Sequence, residues 1–176
     1  KKYRRKMNKI ITSTQDNVLT MERVYDAPRD LVFKAWTDAN AIAQWWGPAN
    51  WTTPFSKMDL REGGSWHYMM KGPDDGSEWA NFESWGIFFY EKITPVSQLI
   101  YTDSFTDETG IPNKEMPNSR TVMDFIEEEN KSRVISKITY VSEKELKTVL
   151  EMGMIEGTTQ MFERLDEYLE NVLTKG

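Results

Sequence analysis

The strongest constraint on this chain is a change of hydrophobic period near residue 142. Before it, apolar residues alternate in short runs bounded by Gly, Pro, Asn and Asp. After it, Leu146, Val149, Leu150, Met154, Met161, Leu165, Tyr168, Leu169 and Val172 recur at steps of three and four. A period of two lays one face of a strand on a core, and a period of 3.6 lays one stripe of a helix on it. One long amphipathic helix is therefore expected from residue 142 to about 173. Ser142 followed by Glu145 is a capping-box signature at its start. Gly153 and Gly157 fall inside it, each at a propensity cost of about 1 kcal/mol relative to Ala. Glycine there permits close backbone approach, a bend, or empty space beside the helix.

The preceding chain reads as strand, two short helices, then six strands. Residues 17–25 are rich in β-formers and end at Asp26-Ala27-Pro28. Pro28 suits the first turn of a helix with Leu31, Val32, Ala35 and Trp36 on one face. Asp38 can cap a second helix carrying Ile42 and Trp45, which Gly47-Pro48 stops. Strands are expected at 51–60, 65–71, 79–93, 98–105, 120–128 and 133–141, with a loop at 106–119. Helices segregated from strands in this order predict an antiparallel α+β domain. The 176 residues suit a single domain over 17–176, preceded by a basic extension over 1–16.

Composition says what the interior is made of. The chain has 7 Trp, 8 Phe, 7 Tyr and 10 Met, a mixture that suits an adaptable wall as well as a plain core. It has no Cys, so it offers no disulfide, thiolate nucleophile or Cys metal site, in keeping with a cytoplasmic protein. Lys1, Lys2, Arg4, Arg5, Lys6 and Lys9 put six positive charges at the start, around a candidate natural start at Met7. Without those six, the formal net charge of −6 becomes −12, which disfavours nucleic-acid binding by the body of the chain. No apolar run has the length of a leader or a membrane span.

Several sequence words together resemble a known family. They are Arg23-Val24-Tyr25-Asp26-Ala27-Pro28 with Leu31-Val32-Phe33-Lys34-Ala35-Trp36; Trp45-Trp46-Gly47-Pro48; Asp59-Leu60-Arg61-Glu62-Gly63-Gly64; Ser104-Phe105-Thr106-Asp107-Glu108-Thr109-Gly110; and Met152-Gly153-Met154-Ile155-Glu156-Gly157. In this order they resemble the START-like or SRPBCC superfamily, in the branch of the ninety-kilodalton heat-shock ATPase activator's C-terminal domain. The resemblance implies a helix-grip fold, a curved antiparallel sheet around a long C-terminal helix, with a cavity between them. It also implies functions as different as lipid or polyketide binding, cyclase-like catalysis and co-chaperone action, so the fold does not choose among them.

Strand alternation permits Trp66, Tyr68, Met70, Trp85, Phe89, Phe105, Met123 and Phe125 to share a concave wall, with Met154, Thr158 and Met161 opposite on the helix. Trp45, Trp46 and Trp51 either plug the open end or form a pocket mouth. Arg61, Glu83 and Asp124 are candidate polar anchors. His67 alternates away from Trp66 and Tyr68 and reads as a surface residue. Asp103, Asp107 and Glu108 read as a polar hairpin rim, since their spacing fits no calcium loop. No catalytic group, metal site or cofactor is assigned. The expected function is binding of a small lipid-like or aromatic molecule, by a monomer or homodimer. The alternatives are a co-chaperone with a protein partner and a cyclase- or hydrolase-like enzyme, which would need a titratable pair in the cavity such as His67 or Glu83.

Overall fold

A computed structural model describes residues 8–175. The elements run β1 (Ile11–Gln15), β2 (Val18–Tyr25), α1 (Arg29–Thr37), α2 (Ala39–Ala43), β3 (Thr52–Met58), β4 (Ser65–Lys71), β5 (Glu83–Thr94), β6 (Gln98–Phe105), β7 (Asn118–Glu128), β8 (Lys131–Tyr140), α3 (Glu143–Glu151) and α4 (Met154–Lys175). The strands form one antiparallel sheet in the order β1-β2-β8-β7-β6-β5-β4-β3. All strand-to-strand connections are hairpins except one. The α1–α2 excursion carries the chain from β2 to β3 at the far edge, and β2 then pairs with the returning β8.

One face of the sheet is buried by simple alternation. In β2 it presents Leu19, Met21, Arg23 and Tyr25, and in β8 Ser132, Val134, Ser136, Ile138 and Tyr140. Helix α4 lays Met161, Phe162, Leu165 and Leu169 on this face. Trp36 of α1 and the two tryptophans that follow α2 fill the corner between them: Trp36 meets Trp45 at 4.8 Å and Trp46 meets Trp66 of β4 at 5.1 Å, both edge-on. Edge-to-face contact suits the ring quadrupoles and contributes beyond the area buried.

Two elements differ from the sequence expectation. Residues 11–15, expected within the extension, form β1 and pair with β2. Every β1 side chain is exposed, so backbone hydrogen bonds alone hold it and no apolar alternation announces it. The cationic residues Lys1, Lys2, Arg4, Arg5 and Lys6 lie outside the described residues.

The long C-terminal helix is two helices. Met152 caps α3, and Gly153 follows with φ +84, a left-handed conformation that a side chain would oppose. Its N–H donates back to the Leu150 carbonyl at 3.2 Å. Helix α3 joins a small cluster with Leu19, Met21, Ile138, Tyr140 and Leu146, while α4 belongs to the main core. The apolar period survives the break because both helices face the same sheet.

Arg23 is a charge inside this core. Its guanidinium donates to both carboxylate oxygens of Asp166 on α4 and to the Phe162 carbonyl, and it lies 4.8 Å from the Tyr25 ring centre. Breaking a buried pair leaves an uncompensated charge, which costs about 3–5 kcal/mol. Asp166→Ala should therefore lose that much stability in urea unfolding. A loss of about 1 kcal/mol or less, as for an exposed pair, would refute this reading.

Candidate ligand cavity

A cavity of about 370 Å³ lies between the concave sheet and the α3–α4 break. Tyr68 and Met70 of β4, Tyr101, Asp103 and Phe105 of β6, and Thr121, Ser136, Ile138 and Tyr140 of β7 and β8 form its sheet wall. Val149, Met152, Gly153, Met154, Gly157, Thr158, Met161 and Phe162 form its helical wall, and Trp36 and Trp46-Gly47-Pro48 close one end. Met152 lines the cavity and is 59% exposed, which places the opening to solvent at the helix break.

The closing loop is held by charge on carbonyls. Arg164 of α4 donates to the carbonyls of Trp46, Gly47 and Pro48 at 3.2, 2.9 and 3.2 Å, and to that of Gln44 at 3.3 Å. These include orphan acceptors at the end of α2, so one guanidinium both finishes α2 and fixes the loop to α4.

Gly86 shapes the opposite wall. It pairs with Tyr68 across β4 and β5, and a Cβ there would meet the Tyr68 oxygen at 2.4 Å. Without a side chain at 86, the Tyr68 ring lies across β5 and its hydroxyl donates to Asp103 Oδ1 at 3.2 Å. Trp66 stacks behind that ring at 4.3 Å. Burial pushes the Asp103 carboxyl up to about 7, and the Tyr68 bond opposes this only partly. Burial also raises Tyr68 well above the ordinary phenol value, with the Asp103 charge adding to it.

Several residues expected in the wall are there: Trp46, Tyr68, Met70, Phe105, Met154, Thr158 and Met161. Trp85 borders the cavity, but its ring rests on Phe55 and His67, on the other face of the sheet. The remaining expected residues lie elsewhere. Trp45 is solid core, its indole N–H donating to the Ala35 carbonyl at 3.2 Å. Trp66 is equally enclosed and donates to Ser56 Oγ at 2.9 Å. Met123 and Phe125 are buried in the main core, Phe125 against Phe33 of α1. Phe89 is 39% exposed, because the inward residue on β5 is its neighbour Phe88, paired with Asp103. Trp51 packs on Phe82 away from the cavity, so of the proposed mouth only Trp46 borders it.

None of the expected anchors reaches the cavity. Arg61 is exposed and paired with Asp59, Glu83 is exposed, and Asp124 accepts from Gln98 on the outer face of β7. His67 also lies on the outer face, near Thr106 and the Asp107 carbonyl. The polar group inside is Asp103, which the sequence reading placed on a rim. Alternation contained the signal: Leu99, Tyr101 and Phe105 point inward, and Asp103 shares their parity.

A curved antiparallel sheet gripping a C-terminal helix, with a side-chain-lined cavity between them, defines a START-type helix-grip fold. The profile of the family described as activator of Hsp90 ATPase homolog 1-like protein matches residues 26–170, and the chain belongs to that family. A solution structure of a protein from Arthrobacter aurescens is similar at 26% identity and a TM-score of 0.82, covering 92% of this chain and 91% of that one. A crystal structure from Mycobacterium smegmatis is similar at 28% identity and a TM-score of 0.79, covering 91% and 94%. A protein from Staphylococcus epidermidis, at 23% identity and a TM-score of 0.79 over 91% and 93%, shares the fold. No curated protein matches the chain. Among the described residues, no helix is long and apolar enough to cross a membrane.

Asp103 gives the cavity a pH signature. Its folded pKa lies above its unfolded value, so the native state binds more protons in the interval between them. The associated stability is full below about pH 4 and is lost as pH rises through about 7. The facing phenols of Tyr68, Tyr101 and Tyr140 are all raised by burial and stay neutral throughout. Asp103→Asn should therefore gain stability relative to wild type between pH 4 and 7, read as paired melting temperatures. A difference that does not change with pH would contradict the burial of this carboxyl.

Proposed function

We propose that this protein is a small-molecule binding module that holds one largely apolar ligand in the cavity, with Asp103 and Tyr68 orienting its polar end. The observation that carries the reading is a cavity of about 370 Å³ walled by aromatic and methionine side chains with one polar cluster. Ligand sites are commonly concave, mostly apolar and about 300–1,000 Å³, with a few convergent polar groups. Methionines at the helix break suit ligands of varied outline, because the unbranched thioether adapts its shape.

Gly157 separates binding from folding. A Cβ there has only Pro48 Cγ within 4 Å, at 3.9 Å. Gly157→Leu should keep or raise the melting temperature, since leaving Gly in a helix gains up to about 1 kcal/mol. The same leucine should occlude the opening and weaken binding about tenfold or more, equivalent to about 1.4 kcal/mol. Wild type should show ligand-dependent melting shifts in a lipid and aromatic library, by mass action on the native state. A wild type that shifts with nothing in the library overturns the reading.

A protein partner is the second reading, supported by the family description and by an aromatic patch. Trp79 and Phe82 are 51% and 48% exposed and meet edge-on at 5.2 Å. On this reading the protein stimulates a heat-shock chaperone's ATPase rate and Phe82→Ser abolishes the stimulation. An unchanged rate with wild type removes it.

A further inference from the structure

The charge on the cavity wall is one-sided. Asp103 is its one carboxyl, and no Lys, Arg or His lines it among the described residues. Arg23 is paired with Asp166, and Arg164 donates to the carbonyls of the closing loop. A ligand carboxylate or phosphate would bring a second negative charge into an apolar space whose wall holds no cationic side chain. A cation would meet the opposite situation. Asp103 accepts from the Tyr68 hydroxyl and the Ser104 backbone N–H and keeps lone pairs for further N–H donors. Tyr68, Tyr101 and Trp46 add aromatic rings to the same wall, and aromatic rings attract ammonium groups more strongly once water is excluded.

The surroundings carry the same sign. Residues 10–176 have a formal net charge of −12, which raises the local concentration of cations and repels anions. At the helix break, Glu156 Oε2 lies 3.7 Å from where a Gly153 Cβ would stand. An approaching cation therefore meets negative charge at the opening as well as inside.

We propose that the cavity selects amphipathic amines, with a protonated ammonium group seated on Asp103 beside Tyr68 and a hydrocarbon or aromatic body against the methionines of the helix break. This rests on the binding-module reading and adds a rule of charge to it. Carboxylic acids of the same length are excluded, and neutral alcohols bind in between.

The test is a matched series of decylamine, decanol and decanoate, titrated calorimetrically into the full chain at pH 8 and below micelle-forming concentrations. The amine should bind about tenfold or more tightly than the alcohol, the range expected of a hydrogen bond to a charged group, and decanoate should give no heat of binding. Asp103→Asn keeps an acceptor for Tyr68 and should bring amine and alcohol to within about twofold of each other. Gly157→Leu should weaken all members of the series, which separates cavity binding from adsorption. Decanoate binding as tightly as decylamine, or an amine preference that survives in Asp103→Asn, overturns the charge rule and leaves the cavity reading standing. If neither this series nor the broad library binds, both fail together.

Discussion

Helix α4 buries Met161, Phe162, Leu165 and Leu169 against a sheet that curves toward it, and the rest of the molecule is arranged around that contact. The aromatic corner of Trp36, Trp45 and Trp46 fixes one end of the contact, and the Arg23–Asp166 pair fixes its middle. Arg164 then uses the same helix to hold the closing loop. Each device ties α4 to a different part of the chain, so the cavity wall is supported without being filled.

The open space comes from an interruption of the contact. Beyond Met161 toward the N-terminus of α4, the helix offers Gly157 and then breaks at Gly153, and α3 sets out from its own small cluster. Continuous helix with large side chains there would complete the core. The chain instead accepts weaker local packing beside the break, and sites of function are often drawn from such regions.

Asp103 is the second concession. A carboxyl among aromatic rings holds its proton unusually tightly, and the Tyr68 bond relieves only part of the burial cost. Gly86 makes that bond possible by letting the phenol ring cross β5. A carboxyl, a phenol and a missing Cβ from three adjacent strands thus make one polar feature, and each depends on the register of the sheet.

Much of this was legible in the residues. The switch of period at 142, the Pro28 and Asp38 helix starts and the alternation of β4 and β8 fix an α+β grip, because burial of one face imposes its period on the sequence. Part of the helical wall of the cavity, Met154, Thr158 and Met161, followed from the same rule. Exposed β1 left no such imprint, since backbone pairing is indifferent to side chains. Parity on the long β5 and the division of inward residues between solid core and open wall were decided only in three dimensions. Trp66, Met123 and Phe125 are as apolar as the lining residues, and they differ in being fully covered by their neighbours, Trp66 by Trp46 and Phe88 and Phe125 by Phe33 of α1. Asp103 shows the same limit from the other side: alternation pointed it inward, but only Tyr68 arriving from β4 explains how a carboxyl is kept there.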